Sequence, residues 1–461
     1  MPQTSHQDSS TKPHVIVLAF PFGSHAAPLH TLVRKLATEA RHVTFSFFNT
    51  EESNSSISVL ESEDLDNLKA YNVPDGVPEN YVFTGRRQEA IGLFMKSTQG
   101  NYKRAIHVAI GAKKISCVMS DGLLSFVAGE MAEEMKVPWV PFWIPASFTL
   151  YTHVHTDLIR RRIGTAIDAT VGREDELINF LLGMSEFRIG DLQKEIVGAD
   201  LDLPVAIAAH RMVQMLPRAA AVVINSYEEL NPTITDYFKS KFQKCLNVGP
   251  FTIMPSEPSD SDQNGCLLWL DGQKARSVAF VSFGRALSPA DHEIAALAEA
   301  LEASGVPFLW SLKKSLWTVL PDGFLERTEG KGKLVSWAPQ VEILVHPAVG
   351  VFVTHCGWNS VVESVMGRVP MICRPIFADH NLNARMVTDV WRIGVRLEGR
   401  VFTRDGTLRA LDLIFDDEKA RKKMREKMGV IKEMMIKAIG PGGSSSENFK
   451  TLLELISNLE A

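Results

Sequence analysis

Short runs of β-branched and apolar residues alternate with longer helical segments along most of this 461-residue chain. The first run, residues 14–20, is followed by a turn rich in Pro, Gly and Ser and then by a predicted helix over 28–39. Such alternation is typical of βαβ units and predicts a mostly parallel sheet covered by helices. The predicted strands are 14–20, 43–48, 115–119, 139–144, 220–225, 278–283, 307–312, 333–336, 349–354 and 370–375.

The alternation stops near residue 250 and then restarts. Residues 255–265 contain no large apolar side chain, which is typical of an exposed linker. The length suits two domains of ordinary size. Ligands of such domains are expected at the carboxyl ends of the strands and in the cleft between the halves. The predicted organisation is an N-terminal α/β domain over 1–249, a linker over 250–265, a second α/β domain over 266–440 and a last segment over 441–461. In that last segment, residues 444–447 are predicted to cap a helix over 448–459.

Composition excludes several classes of function. Lys and Arg number 49 against 54 Asp and Glu, a net charge of −5, so no broad positive field favours nucleic acid. The five cysteines show no paired spacing, which suits a reducing compartment and argues against a bound metal. The sequence shows neither a signal-peptide pattern nor an apolar stretch of about 20 residues, so we expect a cytoplasmic protein without a membrane span. The basic segment 419–425 belongs to a predicted amphipathic, solvated helix.

Two loops that follow predicted strands carry candidate chemistry. After strand 349–354, the backbone amides of a helix start and the side chains of His355, Asn359 and Ser360 could hold a diphosphate without a lysine, with Glu363 near a ribose. The alternative is that Asn359 or Ser360 only caps the helix and that His355 is a packed ring.

The second loop follows the first strand and contains His25. A histidine there can take a proton near neutral pH. Asp121 follows another strand of the same half, and it could orient the imidazole and stabilise its cation. The alternative is a structural role, since most of the 13 histidines must be structural.

A longer pattern adds a resemblance. The segments 337–340, 355–360, 369–371 and 379–380, together with His346, Glu363 and Pro375, fall into one frame that resembles the plant secondary product glycosyltransferase box of UDP-sugar-dependent enzymes. The segments 14–22, 25–29, 45–50, 75–79 and 440–445 are similar to flavonoid 3-O-glycosyltransferases, which act on anthocyanidins and flavonols.

The resemblance implies a GT-B fold of two facing Rossmann-like domains, with the acceptor in the first, the UDP-sugar in the second, and the last helix crossing back to the first. It implies an inverting, metal-independent reaction and a monomer. His25 would be the base on the acceptor 3-hydroxyl, supported by Asp121, and Gln88 and His153 match acceptor-side positions. The donor would contact Arg285, Trp337, Ala338, Gln340, His355, Trp358, Asn359, Ser360, Glu363, Asp379 and His380.

Departures from the family pattern qualify these expectations. The box usually closes with Gln, but here it closes with His380. In this family a closing histidine is associated with UDP-galactose, and sometimes UDP-arabinose, in place of UDP-glucose. The alternative is a glucosyl enzyme that tolerates the histidine. Arg285 and Ile144 each replace a Thr, and Arg368 replaces a Gly. These three leave open a weakly active paralogue that binds UDP-sugar and flavonoid. A nicotinamide dehydrogenase is excluded, because no glycine fingerprint follows the first strand.

Overall fold

The structure is a computed structural model that describes two compact α/β units. The first unit comprises the described residues of Met1–Thr156, Asp200–Phe251 and Gly442–Ala461, and the second those of Asp157–Ala199 and Thr252–Pro441. The described residues are 12–57, 65–86, 88–111, 113–198, 200–251, 262–284 and 286–459.

The first unit is built on a seven-stranded sheet in which every strand pair is parallel. Its central strands are nearly continuous apolar runs that are buried along their whole length, as expected of a sheet with helices on both faces. In the order β3-β2-β1-β4-β5-β6-β7, the strands are β1 His14–Leu18, β2 Thr44–Asn49, β3 Leu68–Asn72, β4 Cys117–Asp121, β5 Trp139–Trp143, β6 Val222–Ile224 and β7 Cys245–Asn247.

This strand order has the doubly wound topology of a Rossmann-like sheet. The chain direction across the sheet reverses between β1 and β4, so the loops after these two strands diverge and leave a crevice at their carboxyl ends. The helices of this unit are α1 Ala26–Glu39, α2 Glu51–Ser56, α3 Glu89–Ile110, α4 Ser125–Met135, α5 Ser147–Val154, α7 Pro204–Met215, α8 Pro232–Lys241 and α17 Ser444–Ser457, while α6 Thr156–Ile163 begins at its boundary.

The second unit repeats the arrangement with a six-stranded parallel sheet in the order β10-β9-β8-β11-β12-β13. Its reversal point lies between β8 and β11. The strands are β8 Val278–Ser282, β9 Phe308–Ser311, β10 Gly332–Val335, β11 Val349–Thr354, β12 Met371–Cys373 and β13 Gly394–Arg396, and the helices are α9 Cys266–Asp271, α10 Asp291–Ser304, α11 Phe324–Arg327, α12 Gln340–Val345, α13 Trp358–Gly367, α14 His380–Arg385, α15 Arg404–Phe415 and α16 Glu418–Ile439.

The ten predicted strands are all present, with ends that differ by up to two residues. Three strands were not predicted, namely β3, β7 and β13, and each lies at the edge of a sheet. In β3 one of the five residues is buried and in β13 one of the three, so these sequences carry a weak apolar signal. The residues of β7 are all buried, but the strand has only three of them, which is too short for a periodic pattern.

Residues 157–199 differ from the predicted domain boundaries, because they belong to the second unit rather than the first. Asp191, which is fully buried, accepts a hydrogen bond of 2.7 Å from Nε of Arg385 on α14. The carbonyl of Gly190 accepts another from Nη1 of Arg400, at 3.1 Å. These contacts join residues about 200 positions apart, so no local pattern could have indicated them.

The last helix, α17, groups with the first unit and starts at Ser444, four residues earlier than predicted. Its N-cap is Gly443, and the serines predicted to cap it bind other elements instead. Ser445 Oγ donates to the carbonyl of Gly249 at 2.7 Å, and Asn448 Nδ2 donates to that of Asn247 at 3.0 Å. Most of the predicted linker, 252–261, lies outside the described residues. None of the described helices is both long enough and apolar enough to cross a bilayer.

Candidate active site

His25 and Asp121 lie at the reversal point of the first sheet. Asp121 is the last residue of β4, and His25 follows the neighbouring strand β1, immediately before α1. His25 Nδ1 is 2.8 Å from Asp121 Oδ2, and the other carboxylate oxygen accepts a hydrogen bond of 2.8 Å from the backbone N–H of Leu123. Asp121 is 1% exposed and His25 is 23% exposed. The carboxylate is therefore held in place, it orients the imidazole, and Nε2 is the ring atom positioned to accept a proton.

Aromatic rings border this pair. The Phe20 ring meets that of His25 edge to face, with centroids 5.3 Å apart, and Phe22 and Phe94 continue the cluster at 5.2 and 5.5 Å. Behind them the buried Tyr102 hydroxyl donates to the carbonyl of Ala19 at 2.6 Å. Such a cluster can pack against a planar aromatic ligand beside the base.

Gln88 and His153, the two predicted acceptor-side residues, lie elsewhere in the first unit. Gln88 precedes α3 in a left-handed conformation, φ 59°, and its Oε1 accepts a hydrogen bond of 3.3 Å from the backbone N–H of Val205 at the start of α7. His153 is on α5, is 8% exposed, and packs edge to face on Trp143 with centroids 5.5 Å apart.

In the second unit, His355 follows β11 at the reversal point of the sheet. Its ring packs between two glycines: a Cβ on Gly284 would lie 3.1 Å from the ring, and one on Gly357 would lie 2.6 Å from Nε2. Burial lowers the pKa of His355 to about 4, so the ring is neutral at pH 7. Within the described residues, its buried Nδ1 has no hydrogen-bond partner. A packed ring with an unsatisfied buried nitrogen is suited to contact a ligand at this loop.

The alternative that Asn359 or Ser360 only caps the helix is wrong. Gly357 is the N-cap of α13, so Asn359 and Ser360 lie inside its first turn. Gln340 Nε2 donates to Ser360 Oγ at 2.8 Å and to Glu363 Oε2 at 2.7 Å. Burial raises the pKa of Glu363 to about 7, although the bond from Gln340 opposes this shift. These three side chains thus form a polar cluster that could receive ribose hydroxyls.

Trp337 and Ala338 precede α12. The Trp337 side chain is 43% exposed, and its carbonyl accepts a hydrogen bond of 2.8 Å from Nδ2 of Asn264. Its position is anchored through the backbone while the ring stays accessible, an arrangement suited to stacking on a base. Ala338 is 8% exposed.

The remaining predicted donor residues lie around α13 and α14. Trp358 is 4% exposed, so its backbone amide at the helix start, rather than its indole, is what it can offer a ligand. His380 is 5% exposed, and its ring is 4.6 Å from that of His355. Asp379 Oδ2 accepts a hydrogen bond of 2.7 Å from Asn383 Nδ2. Arg285 lies outside the described residues.

Three residues of this site were not predicted. Asn383 Nδ2 also donates to the carbonyl of Cys356 at 2.9 Å, which ties α14 to the loop after β11. Gly284 and Gly357 make room for the His355 ring. A strand followed closely by glycine is a sequence signal that could have indicated the two glycines.

Among the described residues, no group of three or more His, Cys, Asp or Glu side chains could hold a metal ion.

Known proteins resemble this chain over most of its length. Residues 14–426 match the family model described as UDP-glucoronosyl and UDP-glucosyl transferase. An anthocyanidin 3-O-glucosyltransferase of Vitis vinifera is 49% identical over 97% of this chain and 98% of its own length. An anthocyanidin 3-O-galactosyltransferase of Rhododendron delavayi is 48% identical over 96% and 97%.

A solved structure shows the same similarity in three dimensions. It is a UDP-glucose: anthocyanidin 3-O-glucosyltransferase in complex with UDP, with a TM-score of 0.90 and 39% identity over 97% of this chain and 99% of that one. The two Rossmann-like units therefore constitute the predicted GT-B fold. This chain belongs to the UDP-sugar-dependent glycosyltransferases, within the flavonoid 3-O-glycosyltransferase branch of the plant enzymes.

Proposed function

We propose that this protein transfers galactose from UDP-galactose to the 3-hydroxyl of an anthocyanidin or flavonol, with inversion at the anomeric carbon and without a metal ion. The contact of 2.8 Å between His25 and Asp121 is the observation that carries the proposed chemistry. The closing histidine of the box, His380, supports the choice of sugar.

The first step is proton removal from the acceptor. His25 Nε2 takes the proton of the 3-hydroxyl as its oxygen attacks the anomeric carbon from the face opposite UDP, and Asp121 balances the imidazolium charge. The attacking oxygen forms the new glycosidic bond as the bond from the anomeric carbon to the diphosphate oxygen breaks. Phe20, Phe22 and Phe94 would pack against the planar acceptor.

The second requirement is stabilisation of the departing UDP. The backbone amides at the start of α13 and the His355 ring would meet the diphosphate charge, a fixed electrostatic role that needs no rearrangement during the reaction. Gln340 and Glu363 would hold the ribose, and the exposed Trp337 ring would stack on uracil.

The preference for galactose rests on the hydrogen bonding of His380. Its pKa is well below the usual value because of burial and the neighbouring His355, so the ring is neutral. Its Nδ1 accepts a hydrogen bond of 3.4 Å from the backbone N–H of Phe377, which leaves the ring proton on Nε2. Nε2 would then act as a donor to the sugar. Galactose and glucose differ in the orientation of one hydroxyl, and one such contact is worth about 1–3 kcal/mol.

The alternative is transfer of glucose, or of arabinose, to the same acceptors. Relatives named as glucosyltransferases and as galactosyltransferases match this chain at 49% and 48% identity, so overall similarity favours neither sugar. The alternative of a weakly active paralogue is countered by the retained pair of His25 and Asp121.

A donor competition tests the proposal. Purified protein receives equimolar UDP-galactose, UDP-glucose and UDP-arabinose with quercetin or cyanidin, and chromatography against glycoside standards identifies the products. Mainly 3-O-galactoside is expected. Mainly 3-O-glucoside would replace the proposed donor but keep the reaction. UDP binding without any product would favour the paralogue that binds both substrates without turnover.

The variant His380→Gln tests the role of the closing residue. The amide can both donate and accept, so the product ratio should shift toward glucoside by about tenfold. The ratio is measured in the same competition. An unchanged ratio would show that the sugar is distinguished by other residues.

A further inference from the structure

A cavity of about 500 Å³ lies in the second unit, away from the loop that carries His355. It lies where β8 and β11 begin, whereas His355 follows the end of β11. A six-residue strand is about 20 Å long, so the two sites are at opposite edges of one sheet. The side chains with charge or titratable groups that line it are Arg276, His346, Arg368 and Arg425.

The positive charge of this cavity has little compensation. Arg425, on α16, is only 7% exposed, and the hydrogen bond recorded for its guanidinium is a long one, 3.5 Å from Nη2 to the carbonyl of Gly350. Burial and the nearby Arg276, Arg421 and Arg368 lower the pKa of Arg425 to about 10. A buried charge surrounded by like charges is costly unless an opposite charge completes the site.

The described residues supply almost no acid here. Among the described residues, the lining side chains form one ion pair, between His346 Nε2 and Asp271 Oδ1 at 3.2 Å, and Asp271 is 71% exposed. Within the described chain, neither Arg276, Arg368 nor Arg425 pairs with a carboxylate. The neighbouring Arg421 likewise bonds only to backbone within the described residues, because its Nη1 donates to the carbonyls of Ile414 and Phe415.

Arg368 is held at the cavity in an unfavourable backbone conformation. It is the C-cap of α13 with φ 53°, in the left-handed region where glycine is unstrained. Its Nε and Nη2 donate to the carbonyl of Arg425 at 3.2 and 3.0 Å. The guanidinium packs beside Gly429, where an added Cβ would lie 3.4 Å from Nη2, an ordinary contact distance.

We propose that the cavity bordered by Arg276, Arg368 and Arg425 is a second anion site, which binds a phosphate-bearing small molecule. Guanidinium groups match phosphate oxygens in pairs, and three of them border one open volume. The buried Arg425 forms the base, and the exposed Arg276 and Arg368 form the rim.

Inorganic pyrophosphate is the probe that tests this site. The full chain is first saturated with UDP, which occupies the donor site, and pyrophosphate is then titrated by calorimetry at constant ionic strength, with sodium chloride as the matched salt. The variants are Arg276→Gln and Arg368→Gly, both at exposed positions, and the second also relieves the left-handed strain. Arg404→Gln, an exposed residue of α15 paired with Asp405, is the control.

Pyrophosphate should bind the UDP-saturated protein, and each rim variant should weaken this binding by about tenfold while the control leaves it unchanged. Three results would each overturn the proposal. The heat of the pyrophosphate titration could equal that of the sodium chloride titration, the rim variants could bind pyrophosphate as tightly as the parent protein, or pyrophosphate could bind only by displacing UDP. Because the titration does not involve sugar transfer, its outcome is independent of the proposed function.

Discussion

At the scale of single residues, the site depends on where protons lie. Asp121 accepts hydrogen bonds from His25 and from the backbone of Leu123, so its carboxylate fixes the orientation of the imidazole and places the ring proton on Nδ1. In the second unit, burial keeps His355 neutral and raises the pKa of Glu363. Both pKa shifts have the same cause, because a charged group is less stable when it is buried away from water.

His25→Ala should lower kcat by about 10²–10⁴-fold, the usual contribution of a positioned base. UDP affinity should stay nearly unchanged, because His25 belongs to the first unit and the proposed UDP ligands belong to the second. Steady-state kinetics and calorimetry with UDP check the two parts. A variant that turns over at near-normal rate would remove His25 from the mechanism.

UDP affinity should rise with pH because of Glu363. Its pKa of about 7 in the unligated protein means that it is largely protonated at pH 6, whereas ribose hydroxyls donate best to the ionised carboxylate. One such group changes the affinity by about tenfold between pH 6 and pH 8.

The control for this prediction is Glu363→Gln, which cannot ionise. UDP itself titrates near pH 6, and that contribution remains in the variant. The difference between the two pH profiles, measured by calorimetry, isolates Glu363. Parallel profiles would contradict the prediction.

At the scale of elements, the junctions between strands and helices place the chemistry. Both sheets reverse their strand order at the point where a histidine with a proposed role follows a strand, His25 after β1 and His355 after β11. Local sequence predicted these junctions well, since each central strand is a continuous buried apolar run followed by a turn. It did not predict β3, β7 and β13, three of the four edge strands, nor the start of α17, where Ser444 and Ser445 bind neighbouring elements instead of capping.

Gly357→Ala tests the junction after β11. Gly357 has φ −60°, which alanine adopts freely, so the change acts only through the new Cβ, 2.6 Å from His355 Nε2. Displacement of the ring should weaken UDP binding by about tenfold or more. Gly272→Ala is the matched control, because φ there is −77° and the nearest atom to its Cβ is 3.5 Å away. Equal UDP affinity in both variants would argue against a donor role for the His355 ring.

At the scale of the whole molecule, contacts between distant segments decide which residues belong to which unit. Residues 157–199 join the second unit around the buried Asp191, which pairs with Arg385 and lies 3.5 Å from Nη1 of Arg396. Removing one partner from a buried pair leaves a buried charge uncompensated, so it costs far more stability than removing one partner from an exposed pair.

Asp191→Asn should therefore lower the stability of the second unit by about 3 kcal/mol, since it leaves buried arginine charge uncompensated. Arg385 keeps its contact with Asp389, which limits the loss. Asp175→Asn, in the same segment, removes an exposed pair with Arg188 and should change stability by less than about 1 kcal/mol. Thermal unfolding followed by calorimetry compares them. Similar melting temperatures for both variants would show that the buried pair does not hold the segment.

Features that rest on neighbouring residues could be predicted from the sequence. Apolar runs predicted the central strands, the turns after them located His25 and Asp121, and the long ordered motif identified the family. These signals are local, because hydrophobic periodicity and turn chemistry act over a few residues. Three features became visible only in the folded chain: residues 157–199 belong with the second unit, His380 contacts His355, and Arg425, in a segment predicted to be solvated, is buried beside an open cavity. Charge pairing and burial between distant segments depend on topology, and the sequence pattern of any one segment carries no record of them.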